Sequence, residues 1–97
     1  MNMQKMMQEA QKLQRDMEKK QAEIESTEFT GTSEFCDLVI MGDHKIKSIN
    51  FKIESLDSDD MEALEDMIKI AYNEASKKLE STSEQKLGAL SKMGGLF

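Results

Sequence analysis

The chain holds one histidine, His44, and one cysteine, Cys36, so it offers no pair of soft ligands at zinc spacing. His44 follows Gly42 and Asp43 in a segment with turn chemistry, where an exposed turn histidine is expected. Cys36 alternates in phase with Leu38 and Ile40, which predicts a buried structural thiol. A reactive thiolate would need an exposed, basic setting. Asp57, Asp59, Asp60 and Glu62 resemble part of a calcium loop, but the glycine and the regular ligand spacing are missing. Acids at that point suit the start of a helix, whose dipole is positive there. Gly31, Gly42 and Gly88 stand alone, so no glycine-rich phosphate loop is present. The expectation is a non-enzymatic protein with no catalytic residues, metal, cofactor or small-molecule substrate.

The remaining chemistry belongs to cations near the two ends. Lys5, Lys12, Arg15, Lys19 and Lys20 lie in the first segment, and Lys77, Lys78 and Lys86 in the last. Such residues are either a solvated helix face or contacts to phosphates, each of which adds a salt-dependent, sequence-independent affinity. The net charge of −6 argues at first sight against a polyanion, but the distribution is uneven. Residues 1–20 carry five basic and three acidic groups, for +2. Residues 54–74 carry eight acids and one lysine, for −7, and residues 75–97 return to +2.

Three kinds of element must position these groups. Residues 2–25 lack Gly and Pro and are rich in helix formers, which predicts a long helix from Asn2 to Glu25. Met3, Met6, Ala10, Leu13, Met17, Lys20 and Ile24 follow the alternating steps of a heptad seam, broken only at Lys20. A narrow seam on so long a helix suits a dimer interface at Met3, Met6, Ala10, Leu13 and Met17. Packing within one chain and a membrane-surface helix are the other readings, the last opposed by Glu9, Asp16 and Glu18.

The middle segment predicts an antiparallel meander. A short strand ends at Phe29-Thr30-Gly31, and a second carries Cys36, Leu38 and Ile40 on one face. In a third, Ile49, Phe51 and Ile53 form the buried face, and a bulge or a late strand start near Lys47 accounts for Ile46 being out of phase. Asp57 caps a second helix with an apolar face of Met61, Leu64, Met67, Ile68, Ala71, Tyr72, Ala75 and Leu79. That helix is expected to reach about Leu90, with Gly94-Gly95 ending regular structure before a Leu96-Phe97 tail.

The 97 residues predict one domain, 1–97, of class α+β: an α-β-β-β-α protomer with a three-stranded antiparallel sheet and long N- and C-terminal helices. Nine methionines against five aromatics suggest an adaptable core, thin enough to favour a second copy. A single cysteine excludes an intrachain disulfide. No apolar run is long enough to span a membrane, and Met1-Asn2-Met3-Gln4-Lys5 lacks the apolar region of a secretory signal, so a cytoplasmic location without membrane contact is expected.

The order of these pieces resembles the YbaB/EbfC family of bacterial nucleoid-associated proteins over almost the whole chain. The resemblance rests on the run from Met3 to Gln14, on Val39-Ile40-Met41-Gly42 followed by Ile46-Lys47-Ser48-Ile49, and on the stretch from Asp57 to Ile68. Ala71-Tyr72-Asn73-Glu74-Ala75, Lys77-Lys78 and the Gly-Gly-Leu-Phe ending complete it. It implies a tweezer-like homodimer in the cytoplasm and nucleoid. It also implies binding to double-stranded DNA with low to moderate sequence selectivity, and a role in nucleoid organisation and gene expression. Two departures stand out: Thr32-Ser33-Glu34-Phe35 is bulkier than the small, glycine-rich stretch usual before the second strand, and Ser58 replaces a common proline. A dimeric protein-interaction module, using the acidic and methionine-rich helix faces, is the alternative reading.

Overall fold

The computed structural model describes residues 2–94, with side chains through residue 88. Helix α1 (Met3–Glu25) begins at Asn2, whose side chain accepts a hydrogen bond from the Gln4 backbone N–H at 3.0 Å. This satisfies one of the donors a helix start leaves unpaired. The helix ends where Thr27 Oγ1 donates to the Glu23 carbonyl at 2.6 Å, just after the buried Ile24.

Strands β1 (Glu28–Thr32), β2 (Cys36–Met41) and β3 (Ile46–Phe51) form an antiparallel sheet in the order β1-β2-β3. The β2–β3 turn closes with the His44 N–H donating to the Met41 carbonyl at 2.9 Å. Of the bulge or late strand start expected near Lys47, the bulge is what forms: Ile40 pairs with Ile46 and Val39 with Ser48, leaving Lys47 as the extra residue. After β3, a 3-10 turn (Ser58–Asp60) leads into helix α2 (Met61–Gly94). Asp57 caps this entry, its N–H donating to Asp60 Oδ2 at 3.1 Å. The helix runs past the expected end near Leu90 and includes Gly94, while the Leu96-Phe97 tail lies outside the described residues.

The order α-β-β-β-α and the α+β class are those the sequence predicts. Helix α2 lies across β1 and β2, and α1 packs on α2. The core consists of Ile24, Phe29, Cys36, Leu38, Ile40, Ala71, Ala75 and Leu79. Close approach comes from small residues. A Cβ on Gly31 would lie 1.7 Å from the Ala71 carbonyl oxygen, so glycine and two alanines let the helix backbone descend onto β1. Gly42 works in the same way at the other end, where a Cβ would meet the Ile24 carbonyl oxygen at 1.9 Å.

Two expectations change. No methionine joins the core among the described residues; Met3, Met6, Met7, Met17 and Met61 are exposed instead. The third strand has no buried face: every residue of β3 is exposed, and Ile53 falls outside it. The reason is placement, since β3 is an edge strand beyond the two strands that α2 covers.

The molecule is elongated, 70 × 19 × 13 Å, with a radius of gyration of 19.6 Å. A compact chain of this length would have about 12–13 Å. The helices account for the difference. At 1.5 Å per residue α1 spans roughly 34 Å and α2 roughly 51 Å, both longer than the sheet they serve.

Candidate nucleic-acid interface

Because α1 is one uninterrupted helix, the positions of its cations follow from helix geometry. At 3.6 residues per turn, Lys5, Lys12, Arg15 and Lys19 fall within a sector roughly 80° wide. They form a stripe roughly 21 Å long from Lys5 to Lys19. All four are exposed, and none has an ion-pair partner among the described residues. Lys20 lies off this stripe and pairs with Glu23 at 3.5 Å. The methionine seam occupies the opposite side. Met3, Met6, Ala10 and Met17 are exposed and Leu13 is half-buried, so the protomer leaves this side largely uncovered.

Other groups border the stripe. Gln4 and Gln11 flank it on one edge by the same geometry and Gln8 falls within it, and all three are exposed. Their amides can donate and accept hydrogen bonds beside the cations. Glu9 and Asp16 flank the other edge and set a repulsive margin for an anion. The glutamines are new to the site; their spacing of four and seven residues from Gln4 was the sequence signal for them.

The three α2 lysines singled out from sequence do not form a second stripe. Lys77, Lys78 and Lys86 are spread around about half of the helix circumference. Lys77 and Lys86 are exposed and have no ion-pair partner among the described residues. Lys78 is tied into the fold: its Nζ donates to the Thr30 carbonyl at 2.8 Å and sits 3.5 Å from Glu74. The structure therefore brings together four of the eight cations singled out from sequence.

The face of the sheet away from α2 is polar and internally neutralised. Lys47 pairs with Glu28, and Lys52 lies 3.4 Å from Asp37 Oδ1. Thr32 Oγ1 donates to the same carboxylate at 2.5 Å, and this bond, aided by Lys52, holds the Asp37 carboxyl below the usual carboxylate range. His44 is an exposed turn residue, and Cys36 is fully buried with its Sγ 3.9 Å from the Met67 carbonyl. Among the described residues no three His, Cys, Asp or Glu side chains gather where they could hold a metal ion. No helix among them is long and apolar enough to cross a membrane.

A small sheet carrying two overlong helices, one of them with a cationic stripe, is the layout of a binding protein. Residues 1–96 match the YbaB/EbfC DNA-binding family. The chain is 47% identical over 91 residues to a nucleoid-associated protein of Streptococcus suis, with 92% of each chain covered. It is 47% identical over 92 residues to one of Streptococcus sanguinis, again covering 92% of each. To one of Lactococcus lactis subsp. cremoris it is 43% identical over 94 residues, covering 95% of each. The chain belongs to the YbaB/EbfC DNA-binding family, whose members are binding proteins and not enzymes.

Proposed function

We propose that this protein is a homodimeric, nucleoid-associated protein that binds double-stranded DNA through phosphate contacts and reads base identity weakly. In this role it would help to organise the nucleoid and modulate gene expression in the cytoplasm. The observation that carries the reading is the unpaired stripe of Lys5, Lys12, Arg15 and Lys19, on a helix that projects from the globule. Phosphate contacts position a duplex without reading its sequence, and the stripe lacks the arginine- and asparagine-rich composition that base readout in the major groove requires. Lys77 and Lys86 supply further cations on α2. Lys20 and Lys78 would contribute after releasing exposed ion pairs, which cost little to break.

A second copy doubles the stripe and adds a second set of phosphate contacts. The uncovered methionine side of α1, at Met3, Met6, Ala10, Leu13 and Met17, is one surface available to that copy. It lies opposite the cations, so a partner there would leave the stripe free.

Charge reversal tests the stripe. Lys12→Glu combined with Arg15→Glu should weaken duplex binding and lower the salt slope of log Kd by about 4, because four phosphates, two for each copy in the dimer, are no longer neutralised. Circular dichroism should be unchanged, because both side chains are exposed. Unchanged affinity would remove the stripe from the interface.

A further inference from the structure

Three glutamine amides stand among the cations of α1 without a partner in the fold. Gln4, Gln8 and Gln11 are exposed, and their side chains make no hydrogen bond among the described residues. Gln14, further along the helix, is engaged instead, its Nε2 donating to Glu18 Oε1 at 3.5 Å. Gln8 holds the middle of the cationic sector. By helix geometry it lies about 40° from Lys12 and about 60° from Lys5. Arg15 and Lys19 fall within about 20° of it but sit roughly 10 and 16 Å nearer the globule. Residues 2–12 are all exposed, so this end of α1 stands clear of the fold on every side. Residues 3–14 hold a single acid, Glu9, on the edge away from Gln4 and Gln11. Its charge turns an approaching polyanion toward the glutamine side.

We propose that this free end of α1 enters the major groove of the duplex and that Gln8 reads adenine there. The proposal rests on the DNA-binding reading above and adds the base that it favours. Size selects the groove. A helix with its side chains is about 10–12 Å across, against about 12 Å for the major groove of B-form DNA and about 6 Å for the minor groove. Position then divides the roles. Lys5 and Lys12 lean off the middle line and reach the phosphates at the rim, while the middle side chain faces the base edges on the floor.

The chemistry of the amide selects the base. A glutamine side chain carries a donor and an acceptor side by side. Adenine presents the complementary pair in the major groove, N7 as acceptor and the N6 amino group as donor. Guanine presents two acceptors there, N7 and O6, and would leave the amide oxygen unpaired. One amide among cations specifies one base pair for each copy of the chain. That is a preference and not a recognition site, in keeping with weak readout.

The test is binding to one duplex prepared with adenine and again with 7-deazaadenine. The substitution removes the N7 acceptor and leaves base pairing and the minor groove intact. Wild type should bind the 7-deaza duplex roughly 3- to 10-fold more weakly, with an unchanged salt slope. Gln8→Ala should bind both duplexes equally and keep the wild-type salt slope, because no charge is lost. Its circular dichroism should match wild type, since the position is exposed and alanine favours helix. Lys12→Ala should do the reverse, keeping the discrimination and lowering the slope. Equal binding of the two duplexes by wild type would overturn the proposal. So would discrimination that survives in Gln8→Ala, which would leave Gln8 as a phosphate contact or a bystander. Wild type that binds neither duplex at low salt would instead defeat the DNA-binding reading itself.

Discussion

His44 has φ 70, the only positive value among non-glycine residues described. It occupies the left-handed position of the β2–β3 turn, where a Cβ approaches the following carbonyl. Its side chain is exposed, so nothing there offsets the cost. His44→Gly should stabilise the fold by about 1 kcal/mol. A higher urea midpoint at unchanged m-value is the expected readout. Asp37 makes a second single-residue case. Its carboxyl is held below the ordinary range, mainly by the Thr32 hydroxyl and then by Lys52. A depressed carboxylate adds stability that is present above the unfolded pKa and lost as pH falls through the folded one. Asp37→Asn should therefore lower the urea midpoint near neutrality, and the difference from wild type should shrink below about pH 4, where the unfolded carboxyl titrates.

Elements are joined here by small residues as much as by large ones. Gly31 lies under Ala71 and Ala75, both fully buried, and a Cβ at position 31 would collide with backbone that cannot swing aside. Gly31→Ala should destabilise by about 1–3 kcal/mol, measured by urea denaturation, because α2 must lift from β1. The alternation in β2 made its buried face legible from sequence, and helix-former content did the same for α1. The edge position of β3 was not legible, since Ile49 and Phe51 alternate as a buried strand would. Alternation reports that a face needs cover, without saying whether the cover comes from the same chain. Methionine misled in the same way: its volume suggested core filler, but the spacing of Met3, Met6 and Met17 placed it along a projecting helix. The cationic stripe was written in the seven-residue spacing of Lys5, Lys12 and Lys19. The spread of Lys77, Lys78 and Lys86 around α2, and the tether from Lys78 to β1, depended on the tertiary arrangement.

At the scale of the molecule, charge is sorted by position: α1 carries as many acids as bases but sets four unpaired cations on one side, and acid is concentrated at the start of α2. The acidic stretch occupies the entry and first turns of α2, and the unpaired cations gather along α1. A net charge of −6 is thus compatible with a polyanionic partner that meets α1 and stays clear of the start of α2. Two copies would offer eight stripe cations, within the range of about 6–10 phosphate contacts that gives steep salt dependence. The central claim is that these contacts hold DNA. It is tested most directly by titrating the protein against a labelled duplex over a series of salt concentrations. The expected result is an affinity loss of roughly 10³–10⁵ between 50 and 200 mM salt, nearly the same for duplexes of unrelated sequence. Binding that is absent at low salt, or that does not change across this series, would contradict it.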